Sequence, residues 1–253
     1  MIGSAMVSSY DSQSEAYHQA FQVFLAHTDQ KTNARRRLEA VVQALPFRRV
    51  FVDAGAGTGQ TTAWFLASFG RTIAIEPSPS LNADLRRCCP AAEVLPVKIL
   101  DAAPGAQADF VLCSHVLYYI EQSQWLEHLV RMASWLAPEG ELVSVLQNHE
   151  TDCMRMLEVF HGRRFDLAAL GNEFQAAHGC QYTVDRELVP AHVTTSDFAA
   201  AYTIAEFMLN LLPMPNPPER RTLEEYIQQH FAEPNGGFRF SCHQDLLVVR
   251  QRR

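Results

Sequence analysis

The spacing of apolar residues changes period near residue 46. Before it, Tyr17, Phe21, Phe24 and Leu25 fall at i, i+4, i+7 and i+8, one face of a helix. A second helix is predicted from Asn33 to Leu45, stopping before Pro46. After it, short apolar runs alternate with helical stretches. Arg49 to Asp53 reads as a buried strand running into glycines, and Gln60 to Phe69 as a helix stopped by Gly70. Thr72 to Ile75 is a second strand, followed by a helix over Ser80 to Cys88. Val94 to Leu100 and Phe110 to Cys113 are the third and fourth strands. Ser123 to Leu136 is an amphipathic helix with Ser123 as its N-cap, and the turn Pro138-Glu139-Gly140 leads into a fifth strand, Glu141 to Gln147.

Strands alternating with helices of ~10 to 15 residues mean βαβ units and a parallel sheet. Beyond Asn148 the pattern loosens. Helices are predicted over 165–178, 197–212 and 220–231, and strands over 186–193 and 238–249, with turn signals at Pro213 to Pro218 and Asn235-Gly236-Gly237. The expected fold is α/β: a Rossmann-like, doubly wound, mainly parallel seven-stranded sheet with helices on both faces. It carries an N-terminal helical cover (7–45), a core (48–150) and a C-terminal helical addition (151–253), read together as one domain. MIGSAM (1–6) reads as a cloning remnant ahead of a natural start at Met6.

Composition narrows the classes. A hydrophobic content of 47% over 253 residues excludes a disordered chain. The 21 basic and 28 acidic residues sum to −7, which argues against nucleic-acid backbones as partners. No apolar stretch approaches the ~20 residues that span a bilayer, and no secretory signal is visible, so a cytoplasmic protein with no membrane partner is expected. Cys88, Cys89, Cys113, Cys153, Cys180 and Cys242 form no C-x-x-C pair, so reduced thiols are expected. The ten histidines show no ligand spacing, and no metal is expected. The expected partner is a small molecule; the oligomeric state stays open.

The chemistry-bearing signal is Val52-Asp53-Ala54-Gly55-Ala56-Gly57-Thr58-Gly59, directly after a strand and opening a helix. Glycines there permit positive φ and let a ligand approach the backbone, at the strand edge where open α/β sheets bind ligands. Gln60 stands where a dinucleotide fingerprint needs its third glycine, which disfavours a nicotinamide enzyme, and no Lys-Ser/Thr follows as in a phosphate-cradling loop. Glu76 ends the second strand, where a carboxylate can accept both hydrogen bonds of a ribose diol. Asp101 follows the third strand, near where an adenine amino group would need an acceptor.

With DAGAGTG (53–59), AIEPS (74–78), Asp101 and DFVLCSHVLYYI (109–120), residues 48 to 150 resemble the class I S-adenosylmethionine (SAM) dependent methyltransferases. The resemblance implies that the loop of Asp53, Gly55, Ala56 and Gly57 packs on the methionine part of SAM. It implies that Glu76, with Pro77 and Ser78, holds the ribose, and that Asp101 and Ala102 hold the adenine, with Ser114 and His115 beside SAM. Through AYHQAFQVFLAHTDQ (16–30) and HVLYYI (115–120) the chain is similar to histamine N-methyltransferase-like enzymes. That similarity implies an N-terminal helix closing over the site and a pocket lined by Tyr17, Phe21, Tyr118 and Tyr119. Where that family has a glutamate reading the amine, this chain has Gln30, with Asp29 one residue off.

Aromatic faces suit a sulfonium or a cationic amine, and Tyr17, Phe21, Tyr118, Tyr119 and Tyr182 can supply them. Tyr17 and Phe21 read equally as helix core. His115 is the candidate for taking a proton from an amine, and Asn148 either binds substrate or forms a turn. Arg131 and Glu141 read as solvated charges and the Trp125 stripe as core. Methyl transfer to a small-molecule amine nitrogen is the leading expectation. A SAM-consuming cyclase, resembling the azetidine-2-carboxylate synthases in which SAM's own amine displaces methylthioadenosine, is the alternative, and a silent SAM-binding protein a third.

Overall fold

The structure is a computed structural model and describes residues 5–10, 14–234 and 236–252. The chain divides into two compact units. One comprises residues 35–146, 166–188 and 245–253; the other, residues 1–34, 147–165 and 189–244.

The first unit holds a seven-stranded sheet of order β3-β2-β1-β4-β5-β9-β6. Its strands are β1 (Val50–Ala54), β2 (Arg71–Ile75), β3 (Glu93–Leu95), β4 (Ala108–Ser114), β5 (Leu136–Gln147), β6 (Tyr182–Val189) and β9 (Gln244–Gln251). β1 pairs in parallel with β2 and β4, β2 with β3, and β4 with β5. Strands buried on both faces need continuous apolar runs, which Phe51-Val52, Ile73-Ala74-Ile75 and Phe110-Val111-Leu112 supply. Helices α2 (Gln30–Ala44), α3 (Thr62–Phe65), α4 (Pro79–Cys88), α5 (Trp125–Ala133) and α7 (Leu167–His178) belong to this unit, α2 from Arg35 onward. Buried Asp109 fixes β1 beside β4. Its carboxylate accepts from the Arg49 guanidinium and from the Arg49 and Val50 backbone N–H groups. Burial alone would raise its pKa, and those hydrogen bonds more than offset the effect and hold it below the usual carboxylate value.

The second unit is mostly helical. It holds α1 (Glu15–His27), α6 (Asp152–His161), α8 (Phe198–Leu209) and α9 (Arg220–His230), with an antiparallel pair of β7 (His192–Thr195) and β8 (Phe238–Ser241). Ala20, Phe24, Met156, Phe207, Leu223 and Phe240 share its core. Residues 1–4 of the expected remnant lie outside the described residues. Ala5 and Met6 join the fold: the Ala5 carbonyl accepts from Arg220 N–H, Met6 bridges to Glu219, and Val7 is 2% exposed.

Several expectations are corrected. The third strand stops at Leu95 because Pro96 has no N–H to extend the ladder, and Ile99–Asp101 form a 3-10 turn. The helix expected over 60–69 is only α3 and a 3-10 turn, Leu66–Ser68. Ser123 is no N-cap, since Gln122–Gln124 form a 3-10 turn and α5 starts at Trp125. Pro138-Glu139-Gly140 does not precede β5 but lies inside it. There Glu139 takes φ 67° and the register to β4 slips between Ala108 and Phe110, as a bulge does. The strand expected over 186–193 is split by Pro190 into β6 and β7, and that over 238–249 into β8 and β9, in different sheets. The turn at 235–237 carries positive φ at Gly236 and Gly237; Asn235 lies outside the described residues. Helix α6 has no counterpart among the expected elements; Thr151 caps it by accepting from Met154 N–H and Gly162 ends it at φ 66°.

Candidate functional site

The loop after β1 uses its three glycines differently. Gly55 and Ala56 N–H groups donate to the Ile75 carbonyl at 2.9 and 3.0 Å, tying the loop to the end of β2. Gly55 takes φ 88°, and a Cβ there would stand 2.4 Å from Val116 Cγ2. At Gly59, φ 85°, a Cβ would stand 2.8 Å from Leu85 Cδ1 and 3.2 Å from Cys89 Sγ, so α4 packs against bare backbone. At Gly57, φ 56°, a Cβ would meet nothing within 4 Å. Two glycines therefore admit protein and the middle one faces open space.

Glu76, 6% exposed, is hydrogen-bonded to the same glycine. Its Oε2 accepts from Gly57 N–H at 2.9 Å and its Oε1 from Ser78 N–H at 2.8 Å. Each carboxylate oxygen has two lone pairs, so the group keeps acceptor capacity while being held. Pro77 and Ser78 lead into α4, with Ser78 at its N-cap position. Asn82, which sequence reasoning missed, donates its amide to the Glu76 and Ser78 carbonyls at 2.8 and 3.0 Å and fixes the turn. Its place one turn into a helix that opens on Ser78-Pro79 was the only signal.

Asp53 is placed beneath the loop. Its Oδ2 accepts from Thr62 Oγ1 at 2.6 Å, which ties β1 to the first turn of α3. Burial pushes its carboxyl up to about 7, against the Thr62 hydrogen bond and with a contribution from the Glu76 charge. Asp53 is thus part of the framework under the loop. Asp101 is exposed at the end of its 3-10 turn, and Ala102 is buried with its carbonyl accepting from the Arg131 guanidinium. Arg131 is therefore no solvated charge, and neither is Glu141, whose carboxylate accepts from Arg250 at 2.7 Å.

At the end of β4, Ser114 precedes His115, a non-glycine residue at φ 59°; its N–H donates to the Val145 carbonyl at 2.9 Å. Backbone held in that region is disfavoured and gathers at functional positions. The His115 ring stacks on Tyr118, with centroids 5.9 Å apart. The two tyrosines of the 3-10 turn Leu117–Tyr119 separate: Tyr118 is 4% exposed and Tyr119 68%. Trp125, core as expected, donates its indole N–H to the Leu117 and Ile120 carbonyls, both at 3.0 Å, and so holds that turn. Trp125→Phe keeps the packing and removes the donor. It is expected to lower stability by about 1–2 kcal/mol, measured by urea unfolding, and to change the environment of Tyr118, measured by near-UV circular dichroism.

Because β2, β1 and β4 are neighbours and parallel, residues 55–59, 76–78 and 115–119 follow strand ends along one carboxyl edge of the sheet, while 101–102 come six residues after β3, at the end of a 3-10 turn. Tyr182 does not join them. It starts β6, at the opposite edge of the sheet from β3, and packs on Phe174 of α7 with centroids 5.5 Å apart.

The remaining candidates lie in the second unit. Tyr17 and Phe21 pack on Phe207 of α8, at 5.2 and 5.5 Å, and Lys31 Nζ sits 4.8 Å over the Phe21 ring. Phe21 thus offers one aromatic face to a cation of the chain itself. Asn148 makes the turn into α6: its side-chain oxygen accepts from Glu150 N–H and its carbonyl from Thr151. Gln30 is buried with its amide donating to the Cys242 carbonyl, and Asp29 accepts from His192 N–H. Among the described residues all six cysteines are free, and no group of three or more His, Cys, Asp or Glu is placed to hold a metal ion. No described helix is long and apolar enough to cross a membrane.

A family profile described as a methyltransferase domain matches residues 25–187. No curated protein matches the chain. Solved structures with the same fold include a candidate methyltransferase of Bacillus halodurans C-125, 14% identical, with TM-score 0.61, covering 85% of this chain and 97% of that one. The YcgJ protein of Bacillus subtilis is 14% identical, with TM-score 0.58, covering 85% and 97%. The N-methyltransferase NodS of Bradyrhizobium japonicum WM9, solved with S-adenosyl-L-homocysteine, is 13% identical, with TM-score 0.57, covering 95% and 100%.

Proposed function

Since the chain belongs to the methyltransferase-domain family, we propose that it moves the methyl group of SAM to a small-molecule amine nitrogen, with SAM held along the carboxyl edge of β1, β2 and β4. The observation that carries this reading is a Glu76 carboxylate held by the Gly57 and Ser78 N–H groups, beside a Gly57 whose Cβ side is open. A Cβ would fill that cradle, and a fixed carboxylate suits a ribose diol. Gly55, Ala56 and Gly57 hold the methionine part, Glu76, Pro77 and Ser78 the ribose, and Asp101 with Ala102 the adenine.

Bound SAM supplies a methyl group already activated on a sulfonium. What the chain must add is a nucleophile lined up behind that methyl, a matter of positioning. Ser114 and His115 border the methyl end, and Tyr118 gives the His115 ring a fixed stacking partner. An acceptor amine must lose its proton, and His115 is the imidazole at that edge to take it. Exposed Tyr119 presents its ring to an incoming acceptor.

The test is to incubate the protein with SAM alone and with a panel of small amines, and to identify products by mass spectrometry. S-adenosylhomocysteine appearing only with an amine supports the proposal. Methylthioadenosine appearing without an acceptor replaces it with a SAM-consuming cyclase. Glu76→Ala is expected to weaken SAM binding by about 1–3 kcal/mol, through the lost acceptor and two N–H groups left without a partner. Calorimetry checks this, and an unchanged affinity removes the ribose assignment.

A further inference from the structure

Two adjacent thiols lie under the glycine loop and take no part in the mechanism above. α4 ends at Cys88, and Cys89 is its C-cap, donating its N–H to Leu85. Both side chains turn toward one atom: Cys88 Sγ lies 3.6 Å and Cys89 Sγ 3.4 Å from the Gly59 carbonyl oxygen. The pair differs in access, since Cys88 is exposed and Cys89 is buried. Cys89 packs with Ala56, Ala74, Leu85 and Val94, so one residue of the cofactor loop rests on the same small core. Neighbouring cysteines are poorly placed for a mutual disulfide, because adjacent Cα atoms stand ~3.8 Å apart and bridged cysteines usually need about 4.4 Å or more. A single larger atom bonded to both sulfurs has no such restriction.

We propose that Cys88 and Cys89 form a dithiol site for a soft, thiophilic centre that bonds two sulfurs at once, the class represented by trivalent organoarsenicals, and that its capture disables the glycine loop. The coupling rests on the reading that this loop binds SAM. With an arsine oxide, R–As=O, exposed Cys88 adds first, its sulfur bonding to arsenic and its proton passing to the oxide oxygen. Cys89 then displaces that oxygen. Two As–S bonds form, the As–O bonds break, and the oxygen leaves as water with both thiol protons. Arsenic stays trivalent and no oxidant is consumed. Burial and the neighbouring Cys88 push the Cys89 thiol up to about 12, so Cys88 is the residue that reacts first. Bonding to arsenic removes both S–H protons, so the Gly59 carbonyl loses its two thiol donors, and it places a phenylarsenic group on the sulfur that packs against Ala56 and lies 3.2 Å from the Cβ position of Gly59.

Phenylarsine oxide, added to the full chain in a large excess of a monothiol, is the probe. The monothiol strips single-sulfur adducts, such as one on exposed Cys180. Intact mass is expected to show one phenylarsenic replacing two hydrogens in the wild type and none in Cys88→Ser, an exposed change that leaves the core intact. An adduct that persists in Cys88→Ser, or none in the wild type, overturns the site. Calorimetry is expected to show SAM affinity at least tenfold lower in the treated wild type and unchanged in treated Cys88→Ser. By reciprocity, SAM lowers the arsenical's affinity by the same factor. An adduct with unaltered SAM affinity overturns the coupling. Failure of the untreated protein to bind SAM overturns the proposed function instead, while the mass readout still decides the dithiol site.

Discussion

Gly55→Ala is expected to destabilise the protein by about 2–5 kcal/mol, combining a non-glycine residue at positive φ with overpacking. The new methyl would stand 2.4 Å from Val116 Cγ2, and Val116 follows His115 in the turn after β4. Either the loop or that turn must move, and the loop is tied to the Ile75 carbonyl through two N–H groups. Gly57→Ala separates folding from binding. Its φ of 56° lies in the left-handed region and its Cβ meets no protein atom, so the cost in stability is only about 1 kcal/mol. The methyl occupies the side on which SAM is proposed to lie. Thermal unfolding should therefore place Gly55→Ala far below Gly57→Ala, while calorimetry shows SAM binding lost in both. Equal stability of the two variants would refute the close approach at Val116, and normal SAM affinity in Gly57→Ala would refute the open cradle.

The second large effect is a pH dependence carried by Asp53. Its carboxyl is raised by burial from 3.8 to about 7. Between those values the unfolded chain has lost the proton and the folded protein keeps it. The folded state binds more protons there, so its stability falls as pH rises. At ~1.4 kcal/mol per unit, the loss approaches about 4 kcal/mol by neutral pH. Asp53→Asn removes the titration. Its side-chain oxygen still accepts from Thr62, and its new N–H₂ is an added buried donor, at about 1–3 kcal/mol independent of pH. Unfolding measured from pH 4 to pH 8 should therefore show the variant below the wild type at pH 4, and level with or above it at pH 8. Asp109 does not blur the comparison. Its pKa is lowered, so the stability it adds is lost only as pH falls below the ordinary carboxylate range. Parallel curves for the two proteins would show that Asp53 is ionised in the fold.

Much of this was legible in the residues. Continuous apolar runs set between helical stretches gave β1, β2 and β4 and the helix α4, because a sheet buried on both faces leaves few other patterns. Gly55, Gly57 and Glu76 come in chain order after successive strands, and the parallel pairing of β1 with β2 brings them to one side, where Gly57 meets Glu76. Local rules were less secure where another element could overrule them. Pro138-Glu139-Gly140 reads as a turn, yet pairing with β4 absorbs it as a bulge in β5. Ser123 has the chemistry of a cap, but a 3-10 turn comes first.

The sequence by itself therefore determined the fold class and the family. These follow from periodicity and from residues close together in the chain. The tertiary structure decided what each named side chain touches. It put Tyr182 on α7, Lys31 over Phe21, Asn148 in a turn and Tyr118 under His115. It also gave each glycine a task of its own, with Val116 against Gly55, Leu85 and Cys89 against Gly59, and space over Gly57. Those partners lie tens of residues apart for Gly55 and Gly59, and close packing between distant segments has no periodicity for a sequence to display.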